Sequence, residues 1–208
     1  MARYLAIGKE PSFGQEATSY RYIDLASEDL KTEHEWILPE LAGYRWKRLA
    51  MKGTMRVGGS VDAYAQFDSL GLFLLGALGS VSTSQPDAVG APSVYRHEFT
   101  PAEGLPSYTL RVASEVTGRQ FLGCVCSSLE LSVAPGELLG VSVEWVGQRE
   151  EAFSPEEPAW DESPYISFAD LASAEVGGSP VNLEALTLTI ENDLADDAFE
   201  LGSAYLPE

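Results

Sequence analysis

The chain is 208 residues long, 45% of them hydrophobic, with a formal net charge of −19. That is enough apolar sequence to bury the core of one domain with an appendage, and so acidic a surface repels nucleic acid and anionic membranes, which disfavours a conventional DNA-binding role. The charge is uneven: residues 1–119 hold 12 basic and 14 acidic side chains, residues 120–208 one basic residue, Arg149, and 18 acidic ones. Such a surface suits either plain solubility or a passage to which DNA must not stick. The longest apolar run, Leu70 to Val81, is about 12 residues and is broken by glycines, against the roughly 20 a spanning helix needs. The opening MARYLAIGKE lacks the long apolar core and cleavage site of a secretory signal. The expectation is a soluble protein made in a cytoplasm, with no membrane contact.

In chain order, Ile7 to Gly14 reads as an extended arm ending in a turn, and Tyr20 to Ala26 alternates like a strand. Glu33 to Leu38 suits a short strand. A long polar stretch follows through Gly43, Arg45, Lys47, Arg48, Lys52, Gly53, Arg56, Gly58 and Gly59, which with Lys31 holds six of the 13 basic residues. A stretch of that length without regular pattern is functional or disordered. Val57 to Ala65 leads out of it as a strand. The spacing of Phe67, Leu70, Leu74 and Leu78 predicts one helix over Ser69 to Leu78, with Asp68 as N-cap, a Phe67–Leu72 staple and Gly79 just past its end. Gly71 and Gly76 weaken it, so packing against a sheet must hold it.

Residues 80–93 read as a Ser/Pro/Gly loop, and Val94 to Thr100 and Ser107 to Ser114 as strands. Phe121 to Gly147 is the clearest signal, two alternating strands joined at Ala134-Pro135-Gly136-Glu137, with Val125, Leu129, Leu131 and Val133 on one parity and Cys124, Cys126, Ser128, Glu130 and Ser132 on the other. Residues 148–164 are acidic and carry three prolines, a surface loop or linker. Tyr165 to Ala174 suits a short strand or a helical turn, Gly177 to Pro180 a break, and Val181 to Glu191 a strand. Asn192-Asp193-Leu194 to Leu206-Pro207-Glu208 faintly echoes Glu28-Asp29-Leu30 to Leu38-Pro39-Glu40, as if a second copy of the unit began there; a polar frayed tail fits equally well. Many short strands with close turn signals favour an antiparallel sandwich or barrel.

No catalytic constellation is legible. There is no phosphate-binding glycine loop and no nucleophile elbow. Cys124 and Cys126 form no disulfide framework and lack partner ligands, since His34 and His97 are remote and without ligand spacing. The carboxylate pairs Glu150-Glu151, Glu156-Glu157 and Asp196-Asp197 lack calcium-loop spacing. Trp36, Trp46 and Trp160 could line a sugar site, whereas Trp145 falls on the apolar parity of its strand. Neither cofactor nor metal is expected.

Several passages, in order, resemble the tail tube proteins of long-tailed bacteriophages: IGKEPSFG at the opening (with Gln15 where a Thr is common), VGGS at Val57–Ser60 before a strand, FDSLGLFLLGALGS as a single helix, Tyr95-Arg96-His97-Glu98-Phe99 followed by Pro106-Ser107-Tyr108-Thr109, and Phe121-Leu122-Gly123-Cys124 followed by Ser128-Leu129. The resemblance implies a mainly β, antiparallel sandwich or barrel with one flanking helix and a long loop, a tube domain over 1–180 with its loop at 29–60, and a strand and tail over 181–208 that starts a second tube-domain repeat. It implies a non-enzymatic virion subunit that self-associates into trimeric or hexameric rings, stacks into a tube, meets tape-measure, tail-terminator and baseplate or tail-tip proteins, and lets DNA pass without sequence-specific binding. The cations Arg45, Lys47, Arg48, Lys52 and Arg56 would then order against the acidic surface of the next ring. The competing expectation is a carbohydrate- or protein-binding β-sandwich on a virion or cell surface.

Overall fold

The computed structural model describes residues 3–207 except 41, 43–45, 48, 115, 161, 172–173, 196–197 and 202, with only the backbone of 174 and 176 described. Six antiparallel strands close into a barrel. They are β1 (Tyr4–Lys9), β2 (Arg21–Glu28), β4 (Met51–Tyr64), β9 (Gly140–Gly147), β8 (Gly118–Val133) and β7 (Tyr108–Ala113), each pairing with the next and β7 returning to β1. Three strands extend it: β3 (Lys31–Ile37) on β4, β10 (Arg149–Phe153) on β8, and β13 (Leu186–Glu191) on β8. Leu5, Ile7, Ile23, Val61, Leu110, Leu129, Val143 and Trp145 fill the interior.

The opening is not an arm. β1 lies between β2 and β7 with both faces buried, Leu5 and Ile7 inward, Tyr4 and Ala6 toward a second cluster with Ala113, Tyr20, Tyr22 and Phe153. A strand covered on both sides is apolar without alternation, so the period-two test passes over it. Its outer face is covered by the proline-containing acidic segment: Tyr4 Oη donates to Glu156 O at 2.9 Å, and Trp160 meets the Tyr4 ring edge-on at 6.3 Å. The first part of the expected loop, Arg149–Phe153, is itself a strand.

The hairpin formed by β8 and β9 confirms the strongest expectation but inverts its first half. A bulge between Cys126 and Ser128 inserts one residue. Cys124, Cys126 and Leu129 therefore all face the core, and Val125 is only half-buried. The expected loop at 29–60 is mostly hairpin: β3 pairs with the first half of β4 from Lys31 opposite Gly58 to Ile37 opposite Met51, which leaves residues 38–50 as the loop. The start of the expected loop at 80–93 is instead part of β5 (Gly79–Ser84), paired in an exposed ribbon with β6 (Arg96–Pro101), which matches the expected strand at Val94 to Thr100. The Gly177-Gly178 break is the turn of a small hairpin of β11 (Ala174–Val176) and β12 (Ser179–Val181), and Phe168–Asp170 is a 3-10 turn.

The helix, α1, spans Leu70–Leu78 and ends on Gly79 as expected. Its N-cap is Ser69 rather than Asp68, because Gln66 O accepts from the amides of Ser69 and Leu70 and closes the turn there. Phe67 is exposed and staples nothing. Gly76 lets the helix approach the barrel wall: a Cβ there would lie 3.3 Å from Tyr108 and 3.8 Å from Trp145.

Candidate assembly surfaces

One buried charge organises the barrel's end. Glu10 is 5% exposed. Its Oε1 accepts from Thr109 Oγ1 at 3.0 Å and Gly123 N at 2.8 Å, its Oε2 from Gly14 N at 2.8 Å and Ser107 Oγ at 2.7 Å. Four donors satisfy the carboxylate without a cation, the arrangement a buried anion requires. Gly123 has φ +65°, and a Cβ there would sit 2.8 Å from Gln148 Cβ, so the bulge that presents its N–H to Glu10 is open only to glycine. The node ties β1, the turn after it, β7 and the bend of β8 together. This turn and Gly123 both fall in passages that resemble the tail tube proteins, but no one-dimensional pattern links either of them to Glu10.

The larger feature is a five-stranded sheet, β13-β8-β9-β4-β3, whose outer face is polar. Asp62, Glu130, Glu144 and Glu191 point outward among Ser60, Ser128, Ser132, Ser142, Thr187 and Thr189, with the registers Ser128–Glu144, Glu130–Ser142 and Glu130–Thr189. Ser142 Oγ donates to Asp62 Oδ1 at 2.6 Å. Among the described residues of these strands, cations enter this face at the root of the β3–β4 hairpin, with Lys31 and Arg56. At that corner the Ser60 N–H holds the Asp29 carboxyl below its usual range. Lys31 and Glu33 pair at 2.7 Å, which raises the lysine and lowers the carboxyl.

Both outermost strands carry apolar side chains past the barrel. On β13 the core-side residues opposite Val133 and Leu131 are Leu186 and Leu188, and Leu188 is 48% exposed. On the hairpin the core-side face continues from Val57 through Met55 to Trp36, which is 54% exposed, while a register shift between His34 and Trp36 turns Ile37 and Met51 to the polar side. The free edges of β3 and β13 have backbone groups facing solvent and apolar side chains beside them, the features that template strand addition.

Of the expected stacking residues, Lys47 is exposed in the loop and Lys52 and Arg56 are exposed on β4; Arg45 and Arg48 lie outside the described residues. Of the tryptophans, Trp145 is in the core, Trp160 packs on Tyr4, Trp36 stands on β3 and Trp46 in the following loop, so no shared sugar platform forms. Glu151 pairs with Arg149 at 2.8 Å, and Asp196-Asp197 lie outside the described residues. Among the described residues no three of His, Cys, Asp and Glu gather at metal distance. None of the described helices is long and apolar enough to cross a membrane.

The two thiols are core groups. Burial raises both, Cys126 to about 12, with Glu10 adding to the rise at Cys124. Both thiols are therefore held protonated and shielded from reagents in the folded protein. The native protein is expected to leave Ellman's reagent unreacted for hours and to release two equivalents in denaturant; labelling of the folded protein would contradict this placement.

These features define a class: a closed β-barrel that extends into a sheet with two open edges and a projecting hairpin, built for association rather than for holding a small ligand. The sequence profile of the family described as phage tail tube protein matches residues 2–206, and the chain belongs to that family. Its role is accordingly that of a structural, self-assembling component of the virion tail. No curated protein matches. A solved structure described as that of a type six secretion system protein is similar at 13% identity, over 80% of this chain and 93% of that one, with a TM-score of 0.37.

Proposed function

We propose that copies of this non-catalytic subunit join side by side, β13 of one against β3 of the next, into rings that stack into a hollow tube conducting the genome. The observation that carries this is the apolar overhang on the core-side face at both ends of one sheet, Leu186 and Leu188 on one side and Met55 and Trp36 on the other. A surface that differs from its complement gives a heterologous joint, and a heterologous joint with rotation closes a ring. Strands alternate in direction across five positions, so β13 and β3 run the same way. Copies related by rotation about the ring axis therefore pair these edges in parallel.

The register supports a tilted barrel. Across the sheet, Ile190 faces Leu129, Leu129 faces Val143, Val143 faces Val61 and Val61 faces Glu28, three residues before β3 begins. Strand tilts of 35–45° require a stagger of roughly one to one and a half residues per strand, which brings the next copy's β3 level with β13. In that arrangement the face bearing Asp62, Glu130, Glu144 and Glu191 lines the lumen and repels the phosphate backbone. Residues 181–208 extend the same reading: β13 takes on β8 the place that β2 takes on β4, consistent with the start of a second repeat.

The β3–β4 hairpin projects toward the neighbouring ring. Residues 31–56 hold six cations against three carboxylates, so the loop meets an acidic surface with the opposite sign, which gives orientation and encounter rate. Electron microscopy beside size-exclusion chromatography at high concentration tests the reading; rings or tubes are expected, and a monomer at every concentration would overturn it. Reversing Arg45, Lys47 and Arg48 to Glu is expected to leave rings but few stacked tubes. Tubes of normal length from that variant would remove the stacking role of the loop.

A further inference from the structure

A second exposed edge lies on β4. Its side opposite β3 is covered by β9 only as far as Val57 opposite Gly147. Beyond that point the edge over Met51–Arg56 is met by the chain's own C-terminal segment: Met55 N donates to Ala204 O at 3.0 Å. Two residues on, Leu206 is 7% exposed, in a groove with Phe13, Val125, Val146 and Leu194, and its carbonyl accepts from Gln148 Nε2 at 3.3 Å. The segment is thus bound as a peptide ligand is bound, by an edge hydrogen bond and a side chain in an apolar pocket. Among the described residues this is the only backbone hydrogen bond that it makes to β4, so its hold is at the weak end of the molecule.

We propose that residues 203–207 are an exchangeable strap: in the free subunit they occupy their own groove, and in the tube they occupy the same groove on the adjacent copy of this chain. The inference rests on the ring reading above. The segment leaves from the end of β13, at the seam between copies. In cis it must cross from β13 over β8 and β9 to reach β4, three strand spacings or about 14 Å. In trans, β13 borders β3 of the next copy, and its β4 is two spacings or about 10 Å away. The roughly 11 residues between β13 and Ser203 can reach about 36–40 Å when extended, so either groove is accessible. Residues 203–207 make the same contacts with Met55, Val125, Val146 and Gln148 in both states, while Leu194, Ala195 and Ala198 leave the groove as the tether extends, so exchange changes the connection and the tether only. In a closed ring every copy gives and receives one strap, which adds a link to each joint.

The test uses two full-length variants, Leu206→Cys and Val146→Cys, purified separately, mixed, assembled and then mildly oxidised. Cross-chain disulfides in tubes, seen as dimers on non-reducing gels and absent from the unassembled mixture, are the expected result. A double variant oxidised before assembly locks the strap in cis; it should form tubes at least tenfold less readily and recover on reduction. Tubes that form without cross-chain links, with the double variant linking only within itself, would overturn the strap exchange and leave the ring reading standing. Failure of the unmodified chain to assemble at all would overturn both.

Discussion

Glu10→Ala is expected to lower stability by about 3 kcal/mol or more, which moves the urea midpoint down by at least about 1 M. The reason lies in what remains after the carboxylate is gone. The amides of Gly14 and Gly123 and the hydroxyls of Ser107 and Thr109 converge on it. Each buried donor left without an acceptor costs about 1–3 kcal/mol. The two hydroxyls can rotate toward other partners; the two amides are fixed by their backbone. Thr109 has a further duty, since its Oγ1 accepts from Ala17 N at 3.0 Å, so the loss propagates into the turn after β1. Glu10→Gln separates charge from shape. Its amide group has one acceptor oxygen where four donors need two, and either orientation sets an NH2 against a backbone N–H. It should lose nearly as much as Ala, and a wild-type midpoint for this isosteric variant would show that the node is incidental. Glu16→Gln, on an exposed side chain, should stay within about 0.5 kcal/mol of wild type. Against a total margin of about 5–15 kcal/mol, the node is a large share. The effect reaches the assembly surface as well, because Phe13 and Gly123 border the groove that holds Leu206.

The elements that alternate in sequence were the ones that could be read from it. β2, β7, the second half of β8, β9 and β13 each have one apolar parity because one face meets the core and the other meets water or a polar layer. β1 escaped notice because both its faces are covered. The cysteines were assigned to the wrong face because a bulge at Ser127 shifts the parity, and a bulge is a tertiary feature with no composition of its own. β5 escaped for the opposite reason: the ribbon it forms with β6, which Val94 to Thr100 did anticipate, is largely exposed, so residues 80–84 carry no hydrophobic pattern to detect. The first half of β4 likewise lies on a projecting hairpin and looks irregular until β3 is placed beside it. The assembly surface was legible only as charge imbalance and a basic stretch. Its edges depend on which strands end a sheet, and that follows from closure of the barrel rather than from any local segment.

Leu186→Lys combined with Leu188→Lys is expected to separate folding from assembly. Both side chains stand on the core-side parity of β13, but the strand lies outside the closed barrel, so nothing in the subunit covers them fully. Replacing them should shift the urea midpoint little, since side chains already near half exposure give up little burial. In the ring they meet the overhang of Trp36 and Met55 on the next copy. Completing the burial of a half-exposed leucine contributes about 1 kcal/mol, and two lysines in its place bring desolvation against the same apolar surface. A loss of about 2–4 kcal/mol per joint corresponds to roughly 30- to 1,000-fold weaker pairing. Every copy in a closed ring makes two such joints, so the onset concentration for rings should rise by more than about tenfold. The reciprocal pair Trp36→Glu and Met55→Glu places acids on the facing edge. Mixed with the lysine variant it should restore association, because opposite charges then meet across the joint, while each variant alone stays monomeric. Rings from the lysine variant at wild-type concentration would show that β13 is not the joint. Association of the mixture, with neither parent associating, would tie β13 to β3 as the two sides of one contact.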